Sequence, residues 1–67
     1  MPHVAVNGRP HPLQDGMTVA DLVRDLGLAG KRIAVEVNGQ VVPKSRHETA
    51  ALADGDRVEI VGAVGGG

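Results

Sequence analysis

The residues best suited to chemistry are the last four, Val64-Gly65-Gly66-Gly67. Glycine has the largest backbone entropy of any residue and no side chain to pack, so residues 63–67 are predicted to form a flexible C-terminal tail on a domain of residues 1–62. Such a tail is a narrow peptide ending in a carboxylate, and it can enter a cleft that any side chain would block. An ATP-dependent enzyme can activate a carboxylate as an acyl-adenylate. The alternative is a linker remnant or a frayed terminus without a function.

The histidines and aspartates are weaker candidates for metal binding or catalysis. The histidines His3, His11 and His47 have no cysteine or carboxylate at metal-ligand spacing, so no metal site is predicted. His3 and His11 are expected to lie near each other across a first hairpin, in surface or half-buried polar roles. Asp54 and Asp56 indicate a solvated turn and not an acid–base pair. No catalytic residue is predicted.

A partner-binding surface is predicted from charge and exposure. Lys44, Arg46 and Arg57 could form a basic patch for an acidic partner. An exposed apolar area around Val61 and Val64 would also suit docking of a partner. We therefore expect these residues to mark the partner face.

Composition excludes several classes of function. The chain has 67 residues, no cysteine, no aromatic residue and a formal net charge of −1. It therefore has no disulfide, no base-stacking platform and no electrostatic case for nucleic acid. No apolar run approaches the roughly 20 residues of a membrane span, and no apolar region follows Met1 as in a signal peptide. We expect one small cytoplasmic domain whose core consists of aliphatic residues.

Two Asn-Gly pairs predict two β-hairpins, because a type I′ turn requires positive φ at both central residues. The first, Asn7-Gly8, separates strands at 3–6 and 9–14. Its return strand carries Pro10 and Pro12, which cannot donate to a ladder and so predict a sheet edge. The second, Asn38-Gly39, separates strands at 33–37 and 40–42.

The helix is predicted from an apolar stripe in residues 18–28. Val19, Leu22, Val23 and Leu26 lie at positions i, i+3, i+4 and i+7. Thr18 is a suitable N-cap with Asp21 as its reciprocal partner, and Gly27 is placed for the left-handed residue after the helix.

An alternating last strand at 57–61 completes the pattern of hairpin, helix, hairpin, turn and strand. Residues 44–51 are predicted to be a loop with a helical turn. If the first and last strands are adjacent, they are parallel and the helix lies in their connection. This predicts an α+β, ubiquitin-like β-grasp: a mixed sheet of four to five strands with one main helix packed on one face. The predicted core is Val4, Val6, Leu22, Val23, Leu26, Ile33, Val35, Val37, Val58 and Ile60.

Motifs along nearly the whole chain resemble the ThiS family of sulfur carriers in thiamine biosynthesis. They are NG at 7–8, DGMTVADL at 15–22, VNGQVVPK at 37–44, LADGDRVEI at 52–60 and AVGGG at 63–67. One departure is the segment at 45–48, which lacks the aromatic residue often found there in the family.

The resemblance implies a specific chemistry for the C-terminus. An E1-like adenylyltransferase of the ThiF type adenylates the terminal glycine with ATP and Mg²⁺, and a sulfur donor protein supplies sulfur for a thiocarboxylate. A thiazole synthase of the ThiG type then accepts the sulfur. By this resemblance Gly67 is the modified residue, and Val64, Gly65 and Gly66 are held in the clefts of the partners. The chain itself would be a carrier, not an enzyme, with no cofactor bound.

Three alternatives remain from the sequence. The chain could be a sulfur carrier for molybdopterin or another pathway, with the same chemistry at its terminus. It could be a protein modifier that forms isopeptide bonds through Gly67. It could also be a non-covalent β-grasp binding domain in which the glycines are incidental.

Overall fold

The computed structural model describes residues 1–62, which form one mixed sheet and one α-helix. The elements, in chain order, are β1 (His3–Val6), β2 (Arg9–Pro12), α1 (Val19–Asp25), β3 (Ile33–Val37), β4 (Gln40–Val42), a 3₁₀ helix (Lys44–Arg46) and β5 (Arg57–Gly62). The 3₁₀ helix is the helical turn that the sequence predicted within residues 44–51.

The sheet confirms the predicted β-grasp. Its strand order is β2-β1-β5-β3-β4, so β5 is the middle strand and β2 and β4 are the edges. β1 and β5 are parallel, with Val6 opposite Val58, and every other neighbouring pair is antiparallel. Because a parallel pair requires a crossover connection, α1 lies between these strands in the sequence and covers one face of the sheet.

Both hairpin turns have the backbone that the Asn-Gly pairs predict. Asn7 and Asn38 have φ values of 51° and 53°, and the glycines that follow have φ values of 84° and 85°. Positive φ at both central residues is the signature of a type I′ turn. β2 is an edge strand, as its prolines predict, but it ends at Pro12 and is shorter than the predicted 9–14.

The N-terminus of α1 is closed by a complete capping box. The N–H of Asp21 donates to Oγ1 of Thr18 (3.2 Å), and the N–H of Thr18 donates to Oδ2 of Asp21 (3.0 Å). The hydrogen bonds from Thr18, together with the nearby Arg24 guanidinium, lower the pKa of Asp21 below its ordinary value. The carboxylate is therefore ionised at neutral pH, where it also favours the positive end of the helix.

The segment after the 3₁₀ helix satisfies the remaining free donors of the first turn of α1. The N–H of Val19 donates to the carbonyl of Ala50 (3.0 Å), and that of Ala20 donates to the carbonyl of His47 (2.8 Å). This segment is thus fixed to the helix by backbone bonds, which the polar sequence of residues 44–51 did not indicate.

The helix ends just before Gly27, as the sequence predicts. Gly27 has a φ of 75°, its N–H donates to the carbonyl of Arg24 (3.0 Å), and the N–H of Leu28 donates to that of Val23 (2.9 Å). This pair of bonds is a Schellman motif, which stops α1 at Asp25 with Leu26 as its C-cap and confirms the predicted place of Gly27 after the helix. None of the helices in residues 1–62 has the length and hydropathy needed to span a membrane.

The core lies between α1 and the sheet and differs in part from the predicted set. Its buried residues are Val4, Met17, Val19, Leu22, Val23, Val35, Leu52, Val58 and Ile60. Four predicted core residues are only partly buried: Val6, Leu26, Ile33 and Val37. Seven helical residues span about 10 Å, whereas six strand residues span about 20 Å, so α1 cannot cover the full length of the sheet.

Candidate functional site

The central strand β5 leads directly into the C-terminal residues that the sequence marks for chemistry. Val58 and Ile60 fix it in the core, with exposed fractions of 1% and 8%. Its last residue, Gly62, lies opposite Ile33 of β3. Gly67 and its neighbours Val64, Gly65 and Gly66 lie outside the described residues, so the role of Gly67 and the flexibility of residues 63–67 stay predictions.

The side chain of Asn7 fixes β5 two residues before its end. The N–H of Ile60 donates to Oδ1 of Asn7 (2.9 Å), and Nδ2 of Asn7 donates to the carbonyl of Ile60 (3.1 Å). The backbone N–H of Asn7 also donates to the carbonyl of Val58 (2.9 Å). The carboxamide therefore continues the β1–β5 ladder beyond the last residue of β1. The sequence indicated the turn at this position but not the two hydrogen bonds between the Asn7 carboxamide and the Ile60 backbone, which we call the Asn7 clamp.

Asn38, in the second turn, holds the beginning of the same strand. Its Oδ1 accepts from the N–H of Arg57 (2.9 Å), and its Nδ2 donates to Oδ1 of Asp56 (3.0 Å). The strand that precedes residues 63–67 in the chain is consequently fixed by both hairpin turns.

We expect Asn7→Gly to lower the free energy of unfolding by about 1–3 kcal/mol, because it removes both side-chain bonds to the partly buried Ile60 backbone. Glycine retains the positive φ that the turn requires. Asn38→Gly is the matched control: the substitution and the turn type are the same, but the bonds are exposed. Urea unfolding should show the larger loss for Asn7→Gly, and equal losses would contradict a special role for the Asn7 amide.

The sheet face opposite α1 carries two of the predicted partner-binding residues. Arg57 lies opposite Ala5 at one end of this open face, and Val61 lies opposite Ala34 at the other. The side chain of Val61 is 62% exposed. Between them, Glu59 lies directly opposite Glu36. The open face is therefore mixed in charge, and the two facing carboxylates could not be located before the strand register was known.

Lys44 and Arg46 lie elsewhere in the fold. Both belong to the 3₁₀ helix that follows the edge strand β4, which β3 separates from β5. Both side chains are exposed. The structure therefore brings Val61 and Arg57 onto one face, whereas Lys44 and Arg46 form a separate basic pair. Their predicted partner role stays a prediction.

The histidines serve separate contacts. Position 11 lies opposite Val4 in the β1–β2 register and position 3 lies opposite Pro12, so the two side chains belong to opposite faces. The expected approach of His3 and His11 is therefore wrong. His11 Nε2 lies 3.7 Å from Oδ2 of Asp25, and His47 Nε2 lies 3.1 Å from the carbonyl oxygen of Val42.

The two aspartates of the 54–56 turn bind backbone groups. Asp54 accepts from the N–H of His3 (3.0 Å), and Asp56 accepts from that of Ala53 (2.8 Å). These bonds agree with the prediction of a turn in place of an acid–base pair. Within residues 1–62, no group of three or more metal-ligating side chains is placed to hold a metal ion.

A cleft that the sequence did not predict lies beside Gly62, on the helix side of the sheet. We call it the terminal cleft; its volume is about 620 Å³. Its apolar lining comes from Val6, Leu26, Leu28, Ile33 and Ile60, and Arg9 and His11 are its ionisable residues. Three of the four predicted core residues that proved only partly buried line this cleft.

Comparison with known proteins places these features in a family. A family model described as "ThiS family" matches residues 4–67. A thiazole synthase of Paramagnetospirillum magneticum is 41% identical over 64 residues, which are 96% of this chain. The chain spans only 20% of the length of that synthase. The sulfur carrier protein ThiS of Bacillus subtilis is 39% identical over 54 residues, which cover 81% of this chain and 82% of that protein.

Solved structures agree with the sequence comparison. The crystal structure of the thiamine biosynthesis protein ThiS of Geobacter metallireducens has a TM-score of 0.81 with this fold and is 31% identical. The similarity covers 97% of this chain and 99% of that one. The likeness therefore extends over the helix, all five strands and the turns that connect them.

Proposed function

The chain belongs to the ThiS family, and on that premise we propose that it is a sulfur carrier of thiamine biosynthesis whose Gly67 carries sulfur as a thiocarboxylate. The observation that supports this most is the similarity, over 97% of the chain, to a structure named as ThiS. The Gly65-Gly66-Gly67 sequence agrees with it, because three glycines form a narrow peptide without side chains.

The proposed chemistry uses the terminal carboxylate alone. An oxygen of Gly67 attacks the α-phosphorus of ATP, and pyrophosphate leaves as the acyl-adenylate forms. Hydrosulfide supplied by the donor protein then attacks the acyl carbon, the bond to AMP breaks, and AMP leaves as the thiocarboxylate forms. The absence of cysteine from the chain is consistent with this proposal, because the sulfur is then bound to a backbone carbon. ATP and Mg²⁺ are bound by the activating enzyme.

Two enzymes are proposed as partners. The first is an E1-like adenylyltransferase of the ThiF type, for which we propose the open face with Arg57 and exposed Val61 as a docking surface. The second is a thiazole synthase of the ThiG type. The similarity of this chain to one fifth of a thiazole synthase supports that choice, because such a protein joins a ThiS-like stretch to the synthase.

The fold holds β5, the strand that comes before residues 63–67, in a fixed position. β5 is paired on both sides, and the Asn7 amide holds Ile60 through two hydrogen bonds. A partner that docks on the folded domain therefore finds Gly62, the residue before residues 63–67, at a defined position. Restricting a reacting group in this way reduces the entropy that must be lost when the reactive complex forms.

Mass spectrometry of the protein purified from its native host tests the proposal. We expect the C-terminal peptide to end at Gly67 and a fraction of it to carry one sulfur in place of one oxygen. Isopeptide conjugates of Gly67 to lysine would instead indicate a protein modifier. An unmodified terminus under conditions that demand thiamine synthesis would favour a non-covalent binding domain.

A further inference from the structure

The terminal cleft exists because α1 is shorter than the sheet it covers. The Schellman motif turns the chain away after Asp25, which leaves the apolar side chains of Val6 and Ile33 only partly buried. Leu26 and Leu28 form the opposite wall of the cleft. The chain has no aromatic side chain that could fill such a space. An incompletely covered apolar surface of this kind is typical of a binding site.

Cationic residues occur in the lining of the terminal cleft and in the chain next to it. Arg9 lines the cleft directly. Lys31 and Arg32 immediately precede Ile33, another lining residue, and both are exposed. One carboxylate also lies near the lining, because Oδ2 of Asp25, at the end of α1, is 3.7 Å from Nε2 of His11. An apolar centre with cations around it is complementary to an apolar side chain flanked by carboxylates.

The position of the cleft relates it to the reacting end of the chain. Gly62, the last described residue, is part of the lining. A protein that binds residues 63–67 must therefore approach this end of the domain. The open face, by contrast, lies on the other side of the sheet, so the two surfaces can serve different partners.

We propose that the terminal cleft binds the thiazole synthase, through a segment that inserts an apolar side chain and presents a carboxylate to Arg9. This inference rests on the proposed function, since it assigns a surface to one of its partners. The choice of the synthase follows from the relative in which a ThiS-like stretch and a thiazole synthase are one polypeptide. In such a protein the linkage gives the ThiS-like domain a high effective concentration for the synthase, so the two can bind each other within one chain.

Two charge reversals test the proposal. Arg9→Glu reverses the cation that lines the cleft, and Arg24→Glu on α1, outside the lining, is the matched control. Both side chains are exposed, and both variants change the net charge equally. We expect the Kd for the cognate thiazole synthase, measured by titration calorimetry, to rise about tenfold or more for Arg9→Glu and less than about threefold for the control. Added salt should weaken binding of the wild-type chain more than that of the Arg9→Glu variant.

The outcomes separate this inference from the proposed function. Equal effects of the two variants, or no effect of Arg9→Glu, would overturn the cleft assignment. If pyrophosphate exchange by the adenylyltransferase is lost with Arg9→Glu while binding to the synthase is retained, the cleft belongs to the adenylyltransferase and the assignment is wrong. A native chain that carries a thiocarboxylate but does not bind the synthase would refute the inference and leave the carrier function intact. A native chain without the thiocarboxylate would instead contradict the carrier function.

Discussion

Leu22→Ala is expected to lower the free energy of unfolding by about 2–5 kcal/mol, which is the usual cost of truncating a fully buried leucine. Leu22 has an exposed fraction of 0% and lies on α1 in the middle of the core. A domain of this size rarely has more than about 3–5 kcal/mol of net stability. The variant should therefore be largely unfolded at 37 °C, and circular dichroism during heating should show a Tm at least about 10 °C lower.

Leu26→Ala is the matched control for this prediction. The residue type and the helix are the same, but Leu26 is the C-cap of α1 and is only partly buried. Its truncation removes less buried surface and creates no closed cavity, so the loss should be clearly smaller. If Leu22→Ala melted like the wild-type chain, or if Leu26→Ala cost as much, the helix would not pack in the register described.

The sequence was sufficient to predict the fold because its local signals agree with one another. Each Asn-Gly pair is followed by strand residues of the right length, and Thr18, Asp21 and Gly27 mark both ends of the helix. Proline placed β2 at an edge. Each of these features depends on neighbouring residues only, and agreement among them leaves few alternative topologies.

The terminal cleft could not be predicted, because its existence depends on the length of α1 relative to β5. An apolar stripe shows which side of the helix is buried but not where the helix stops covering the sheet. Leu26 continues the stripe, yet the Schellman motif leaves it at the margin of the core. The partial burial of Val6 and Ile33 has the same cause.

The Asn7 clamp illustrates a second limit of prediction from sequence. The amide reaches Ile60, a residue 53 positions away in the chain, and only the parallel pairing of β1 with β5 brings them together. The facing carboxylates of Glu36 and Glu59 depend in the same way on the register of β3 and β5. Sequence patterns identified the strands but not which side chains are neighbours across them.

Gly66→Val is expected to reduce adenylation by about 10²-fold or more while leaving the free energy of unfolding nearly unchanged. Residues 1–62 already form a sheet and helix that bury a common core, so we expect no stabilising role for this position. A β-branched side chain would widen the peptide next to the reacting carboxylate and displace Gly67 from in-line attack on ATP, and small displacements of this kind have large kinetic effects. ATP–pyrophosphate exchange with the cognate adenylyltransferase measures the loss, and thermal unfolding shows whether the fold is intact.

A chain with an amidated Gly67 distinguishes blocked entry from blocked chemistry. The amide adds almost no bulk, so the terminus should still enter the cleft of the activating enzyme, but it lacks the anionic oxygen that attacks the α-phosphorus. We therefore expect no exchange from the amidated chain alone and competitive inhibition when it is added to the wild-type chain. Gly66→Val should inhibit much less, because its terminus does not enter and only contacts on the folded domain remain. If the amidated chain supported exchange, the activated group would not be the Gly67 carboxylate, and the proposed carrier chemistry would be wrong.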